Sequence, residues 1–379
     1  MTPDIHAVDG GDPPVLEARG LTKHFRMASS ILPWRETKYL HAVDDVNLTL
    51  RPGRVTALVG ESGSGKSTVA RLLARVYPPT SGSIFFNGEN VVKHRGRRRQ
   101  LWYRSQVQMI FQDPFSSLNP VKRVRHHIVR PLKIHKIVKS IPNENRGDVS
   151  GSGNSAARVL YRLPLLRKRH VVNAELIPQR VNDLLRTVGL SPPAEYANAF
   201  PHQLSGGQRQ RVAIARTLAV QPIALLADEP ISMLDVSIRI GIMNLMLQLK
   251  DERNLAFLYI THDIASARYL ADEVMVMYAG QAVESGPTDD VLKAPLHPYT
   301  RLLLSAVPNP EAGLQTKRVE VRGDVPTVIN PAPGCRFAPR CPFVMEICRS
   351  TTPQLGKEGM NQWVRCHLYP ASAPQPHQN

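Results

Sequence analysis

No stretch of the sequence approaches the roughly 18 consecutive apolar residues that a membrane-spanning helix requires. The chain is therefore expected not to cross a bilayer, although its hydrophobic content of 42% is ordinary for a protein with a packed core. The first residues, MTPDIHAVDGGDPP, carry acids and no apolar segment, so a secretory signal is not expected and the cytosol is the expected compartment. Cysteine is scarce. The four present all lie beyond Gly334, and structural disulfides are not expected of them in a reducing compartment. Acidic residues are depleted from one region: residues 91–180 carry 20 Lys and Arg against 4 Asp and Glu, which accounts for nearly all of the formal net charge of +17. Such a stretch fits a solvated basic face, a nucleic-acid contact, or a surface held against anionic lipid headgroups at about 1 kcal/mol per nearby cation. Charge alone does not separate these, because both kinds of phosphate attract the same side chains. Internal repeats are also lacking.

What is present is the pattern of an α/β domain. At 379 residues there is room for one full domain and a smaller one. From Val15 onward, short apolar runs alternate with helical patterns, as expected of a largely parallel sheet. Val55–Val59 reads as a strand that ends in Gly60, and 66–76 reads as a helix, giving strand, loop, helix. Residues 223–227 and 256–260 are continuous and apolar, like central parallel strands, with a helix expected at 238–249 between them. A further strand is expected at 273–277, followed by a hairpin turn at Ala279 and Gly280. Residues 112–204 show few strand signals and one clear helix at 177–188, so a helical subdomain is expected there, interrupted by a flexible loop at about 142–155 rich in Asn, Gly and Ser. Beyond 285 the composition turns Pro-rich, as in a separate C-terminal extension. The last nine residues are expected to be disordered.

Three motifs carry chemistry. Gly60, Glu61, Ser62, Gly63, Ser64, Gly65, Lys66, Ser67 and Thr68 form a phosphate-binding loop between a strand and a helix. Glycines let backbone N–H groups curl around phosphates, and the helix N-terminus adds a favourable dipole. Lys66 is expected to reach the β- and γ-phosphates, and the Ser67 hydroxyl to ligate Mg²⁺. The second motif, Asp228 and Glu229, ends a buried strand, at the edge where doubly wound sheets bind ligands. Asp228 suits the Mg²⁺ shell and Glu229 a general base that deprotonates water, although an Asp-Glu pair also occurs at helix starts for dipole reasons. The third is Leu204, Ser205, Gly206, Gly207 and Gln208, which lead into a helix.

With that third motif the sequence resembles the ATP-binding cassette proteins, whose signature it matches. The resemblance implies an α/β fold of the P-loop NTPase (RecA-like) type: a cassette with an inserted helical subdomain and a small cysteine-containing C-terminal extension. In that family Ser205, Gly206, Gly207 and Gln208 would grip the γ-phosphate of ATP bound to a partner subunit, again an anion at a helix N-terminus. The other family motifs follow in order. Phe111-Gln112-Asp113-Pro114 matches the Q-loop, whose glutamine contacts Mg²⁺ and water. Ser232-Met233-Leu234-Asp235 matches the D-loop, with Met233 where alanine is more frequent, and Thr261-His262-Asp263 matches the H-loop, whose histidine contacts the γ-phosphate. Phe25 is the candidate to stack on adenine, with Tyr39 competing. Gln112, Glu229, His262 and Lys66 thus make the catalytic set, and Ser67, Gln112 and Asp228 the Mg²⁺ set.

His297-Pro298-Tyr299-Thr300, the run from Pro331 through Cys335 and Arg340 to Cys341, and Asn119-Pro120 further resemble the ATPases of oligopeptide/dipeptide importers. That resemblance implies an ATP-hydrolysing motor on the cytoplasmic side of the cell (inner) membrane. It would work with a second, different ATPase subunit, two permease subunits and, indirectly, a substrate-binding protein. Peptides lead as substrate, and the family also imports nickel or oligosaccharides. Nucleic acid is not expected as a partner, and a soluble cassette ATPase acting on nucleic acid or ribosomes is the rival. Expected boundaries are a disordered 1–13, a cassette at 14–285 with its helical subdomain at about 112–205 and a basic insertion at about 136–172, a C-terminal domain at 286–370 and a disordered 371–379. Cys335, Cys341, Cys348 and Cys366 have a spacing that fits neither the common zinc nor the ferredoxin patterns. Family members with these cysteines carry a [4Fe-4S] cluster; zinc and free thiols are the alternatives.

Overall fold

The computed structural model describes residues 12–27, 37–94, 96–135, 137, 176–305, 325–359 and 361–369. The terminal segments 1–11 and 370–379, the expected loop at 142–155 and all of the basic insertion except Ile137 lie outside the described residues.

In chain order the strands are β1 (Leu16–Arg26), β2 (Tyr39–Leu50), β3 (Val55–Val59), β4 (Ser81–Phe86), β5 (Glu89–Asn90), β6 (Val107–Ile110), β7 (Ala224–Asp228), β8 (Ala256–Thr261), β9 (Glu273–Tyr278), β10 (Gln281–Pro287), β11 (Gly356–Glu358) and β12 (Gln362–Val364). The helices are α1 (Lys66–Leu73), α2 (Arg97–Gln106), α3 (Pro114–Ser117), α4 (Val124–Ile134), α5 (Ile177–Thr187), α6 (Pro193–Asn198), α7 (Gly206–Leu218), α8 (Val236–Arg253), α9 (Ile264–Leu270), α10 (Thr288–Lys293), α11 (Pro298–Ser305) and α12 (Ile347–Ser350).

A large sheet runs β11-β12-β10-β9-β3-β8-β7-β6. Its centre is parallel, from β9 through β3, β8 and β7 to β6. Every residue of β3, β7 and β8 is buried, which is why these strands read as unbroken apolar runs. Alternate residues face opposite ways. Val55, Ala57, Val59, Leu225, Ala227, Phe257 and Tyr259 join a core built with the helical elements α4, α5, α7 and α8. Leu58, Ala224, Leu226, Ala256, Leu258 and Ile260 join the other core, against α1 and a second sheet of order β2-β1-β4-β5. That antiparallel sheet, with strands of 11 and 12 residues in β1 and β2, was not legible as such in the sequence.

The expected elements shift slightly at their ends, for local reasons. The helix expected at 66–76 stops at Leu73, and Arg75 takes a left-handed φ of 54°. The helix expected at 238–249 extends to Val236–Arg253 and ends where Asn254 adopts the left-handed C-cap conformation at φ 49°. Beyond residue 285 the chain returns to the large sheet: β12 pairs antiparallel with β10, Glu284 opposite Val364 and Ser285 opposite Trp363. Arg365 locks this return by donating to the Asp45 carboxylate and the Ala282 carbonyl, each at 3.2 Å.

A buried carboxylate organises the start of α11. Glu284 has no exposure, and its two oxygens accept the N–H groups of Leu296 at 2.8 Å and His297 at 2.9 Å. The His297 ring is buried in turn, and its Nδ1 accepts the N–H of Tyr299 at 3.0 Å. Burial pulls the His297 pKa down from 6.5 to about 3. The unfolded chain therefore takes up a proton on this residue below pH 6.5 that the folded chain refuses until about pH 3, so stability falls with pH across that window. Wild type is expected to lose about 2 kcal/mol more than His297→Asn between pH 7.5 and pH 5, read as urea midpoints. Comparing the two proteins cancels the contribution of Glu284, whose carboxyl burial pushes upward.

Candidate nucleotide site

The C-terminal ends of four adjacent parallel strands build the site. β3 leads into the loop at 60–65 and α1, while β6, β7 and β8, neighbours in the sheet, lead to Gln112, Glu229 and His262. The three side chains converge. Gln112 Nε2 donates to Glu229 Oε2 at 3.0 Å, and His262 Nδ1 lies 3.3 Å from the same oxygen. Glu229 itself has a left-handed backbone, φ 44°, a conformation that is costly for a residue with a side chain and that turns its carboxylate out of the strand.

The loop is folded tightly around Lys66. Lys66 is 4% exposed, and its ammonium donates to Gly60 O at 2.8 Å, Glu61 O at 2.7 Å and Ser64 Oγ at 3.2 Å. Burial lowers its pKa, opposed by the fields of Glu229, Asp228 and Glu61. Two glycines are obligatory by geometry. At Gly60, φ is 154° and a Cβ would sit 2.2 Å from Met277 O; at Gly65, φ is 101° and a Cβ would sit 2.2 Å from Ala42 O. Ser67 Oγ donates to Asp228 Oδ1 at 2.7 Å, and burial raises the Asp228 pKa. These two oxygens form a pair suited to a hard divalent cation.

A cavity of ≈ 840 Å³ is lined by Ser62, Gly63, Gly65, Lys66, Ser67, Thr68, Gln112, Glu229 and His262. Phe25 lines it as well, whereas Tyr39 does not. Sequence reasoning did not place the rest of its wall there, Leu40, His41, Ala42, Ala279, Leu303 and residues 325–328. Residues 325–328 reach the cavity because the segment that follows β-pairs with β2: Leu40 bridges Ile329, and His41 N–H donates to Val328 O at 2.8 Å. No local sequence signal marks such a contact.

Ser205, Gly206, Gly207, Gln208 and Asp235 are not brought to this cavity. Ser205 caps α7: Gln208 N–H donates to Ser205 Oγ at 3.2 Å, and Ser205 N–H to Gln208 Oε1 at 2.9 Å. A Cβ at Gly207 would meet Ile238 at 2.5 Å, so a glycine is needed where α7 passes α8. Met233, Val236 and Ile240 beside it are exposed.

The four cysteines form no disulfide. Cys335 N–H donates to Cys348 O at 2.8 Å. Burial raises the thiol pKa of Cys335, Cys341 and Cys366, partly offset by N–H groups of Phe337, Phe343 and Leu368 directed at the respective sulfurs. No three of the four sulfurs lie within 4.8 Å of one another; among the described residues only His24, His41 and Asp44 meet that spacing.

The fold and the loop define a P-loop nucleotide-binding cassette. The profile of the ABC transporter family matches residues 43–232, and that of the oligopeptide/dipeptide transporter C-terminal region matches 283–348. The putative oligopeptide transport ATP-binding protein YkfD of Bacillus subtilis is 37% identical over 358 residues, covering 94% of this chain and 96% of that protein. The dipeptide transport ATP-binding protein DppF of Haemophilus influenzae is 36% identical over 353 residues, 93% and 96%. Among solved structures, the dimeric ATP-binding cassette MJ0796 in a post-hydrolysis state with ADP and Pi superposes with a TM-score of 0.55 at 26% identity, over 72% of this chain and 98% of that one. The chain therefore belongs to the ABC transporter family, as an ATP-binding subunit of the oligopeptide/dipeptide type. Its reaction is ATP hydrolysis coupled to transport.

Gly65→Ala combines a forbidden φ with a clash against backbone, and is expected to cost at least about 2 kcal/mol and to abolish the rise in melting temperature that MgATP gives the wild type. A nucleotide-dependent shift of wild-type size in this variant would contradict the loop geometry.

Proposed function

We propose that this chain drives peptide import across the cell membrane from its cytoplasmic side, paired with a second ATPase subunit beneath two permeases. The relatives' names support peptides as the cargo. No helix among the described residues is long and apolar enough to cross a membrane, which suits a motor that borrows its membrane path from other subunits. The exposed Met233, Val236 and Ile240 suit a face against the partner ATPase, and the exposed Phe111, Phe115 and Val121 beside Gln112 suit a permease contact. The proposed division is a cassette at 14–285 and a C-terminal domain at 286–370.

The observation that carries the chemistry is the convergence of Gln112 and His262 on one oxygen of Glu229, within the cavity that the phosphate loop lines. In this reading the loop glycines, Lys66 and Thr68 hold the phosphates, Phe25 stacks on adenine, and Ser67, Asp228 and Gln112 hold Mg²⁺. An ion held there would neutralise phosphate charge. Glu229 takes the proton of the attacking water, with Gln112 and His262 fixing its carboxylate until nucleotide enters. Ser205, Gly206, Gly207, Gln208 and Asp235, remote from this chain's own cavity, serve the site of the partner subunit, where the capped N-terminus of α7 offers N–H groups to a γ-phosphate.

Cys335, Cys341, Cys348 and Cys366 would hold a [4Fe-4S] cluster. The resemblance of this cysteine pattern to that of oligopeptide-importer ATPases supports the cluster, with zinc as the alternative. Such a cluster supplies a covalent staple for the loops that carry the four residues.

With the transporter in lipid and loaded binding protein present, Glu229→Gln is expected to lower vanadate-sensitive ATP turnover at least about a hundredfold; undiminished turnover would remove Glu229 from its role. Protein purified without oxygen is expected to contain iron and sulfide in equal amounts, and a colourless product with stoichiometric zinc would refute the cluster.

A further inference from the structure

The phosphate loop is held from outside the cassette. Its second residue, Glu61, is gripped twice by the C-terminal region. The backbone N–H of Glu61 donates to the Tyr299 hydroxyl at 2.9 Å, and its carboxylate receives both terminal nitrogens of Arg340, each at 3.1 Å. A two-pronged guanidinium–carboxylate pair fixes direction as well as distance.

Both partners are themselves immobilised. Tyr299 is fully buried and packs in a triangle with Tyr278, ring centroids 4.6 Å apart, and Phe337, 5.5 Å apart. The start of its helix is tied to Glu284 through His297. Arg340 closes a 3-10 turn at Ala338–Arg340, and its guanidinium lies 5.6 Å from the Tyr278 ring centre. The same region grips the far side of the loop indirectly. Arg336 donates to Ala279 O and to the Asp44 carboxylate, pinning the turn whose Gly280 N–H donates to Ser64 O at 3.0 Å.

The hold on Glu61 acts on Lys66. The Glu61 N–H and the Gly60 carbonyl belong to one rigid peptide plane and point opposite ways. Tyr299 takes the N–H side, and the carbonyl side accepts Lys66 Nζ at 2.8 Å. Rotating this plane would leave a buried N–H unpaired and remove an acceptor from a buried ammonium at the same time. Arg340 restrains the same residue through its side chain.

We propose that Tyr299 and Arg340 are positioning residues of the ATPase site: they fix the Gly60–Glu61 peptide and thereby hold the phosphate loop and Lys66 ready for ATP, so that nucleotide affinity depends on these two contacts to Glu61 and not on the docking of the C-terminal region elsewhere. This rests on the reading of residues 60–67 as the phosphate site. Loss of preorganisation raises the cost of binding more than that of the chemical step once ATP is bound.

The experiment measures KM for ATP and kcat for the transporter reconstituted in lipid, with melting temperatures of each variant. Tyr299→Phe is expected to raise KM about fivefold and Arg340→Met about tenfold, with kcat changed less than about twofold. Because Arg340 acts through Glu61, the double variant Arg340→Met/Glu61→Gln is expected to show no larger KM than the more affected single variant. Arg365→Met, which weakens the docking of the same region at Asp45, is expected to lower the melting temperature and leave KM unchanged. KM values for Tyr299→Phe and Arg340→Met within twofold of wild type, additive effects in the double variant, or an equal KM rise in Arg365→Met would each overturn the proposal. Lys66→Ala separates the two levels. If it binds ATP like wild type, the phosphate-site reading itself fails; if it loses ATP while Tyr299→Phe and Arg340→Met do not change KM, only the positioning role fails.

Discussion

One cation held nearly out of water sets the terms for the rest of the molecule. The ammonium of a lysine at 4% exposure must have partners, because an unpaired buried charge costs far more than a fold can spare. Lys66 finds them in two loop carbonyls and a hydroxyl of the same loop, and to turn those oxygens inward the backbone has to curl. The curl brings Gly60 against Met277 O and Gly65 against Ala42 O, where no side chain fits. The loop is thus pressed between β9 on one side and β2 on the other, and those two strands must be correctly placed before it can form. In the proposed ATP-bound state the phosphates would offer the ammonium better acceptors than neutral carbonyls.

The large sheet serves this loop and extends it. Parallel pairing of β6, β7, β8 and β3 aligns four strand ends at one edge and so gathers residues for which pairing in sequence gives no hint: Gln112 and Glu229, 117 residues apart, meet at 3.0 Å. On the other side of β9, the antiparallel β10 and β12 continue the same sheet into the C-terminal region. That continuity explains how a segment rich in proline and poor in regular structure can hold Arg336, Arg340 and Arg365 in fixed positions against Asp44, Glu61 and Asp45. Mostly buried arginines paired with carboxylates are weak contributors to net stability, but they specify a unique docking geometry.

Legibility differed by element. The buried strands β3, β7 and β8 could be read because a strand covered on both faces must be apolar throughout. The phosphate loop and the helix at α5 were equally plain, each being a local pattern, whereas the Asp228-Glu229 pair was ambiguous alone because such pairs also occur at helix starts. β1 and β2 were not read as a second sheet, since their partly exposed residues alternate irregularly and their pairing carries register shifts between Ala18 and His24. Phe25 and Tyr39 compete as aromatics until the pairing of β1 with β2 decides that only Phe25 lines the cavity. Tyr299 stood within a recognised motif without a role, because the group it holds lies 238 residues earlier.

The sequence by itself marked the candidates to bind phosphate, ligate a divalent cation and take a proton, because the phosphate loop is a local pattern on a strand, a loop and a helix start, and family resemblance supplied the proposed roles of the rest. Tertiary structure alone decided which of them meet. Strand order put Gln112 and His262 on Glu229, kept Ser205 and its neighbours away from this chain's own cavity, and laid Tyr299 and Arg340 on Glu61. The physical reason is that contacts across a sheet or between a core and its extension depend on closing long loops, from 33 residues between Glu229 and His262 to 279 between Glu61 and Arg340. The entropy of such closure grows only slowly with length, so no local pattern records where a distant segment will land.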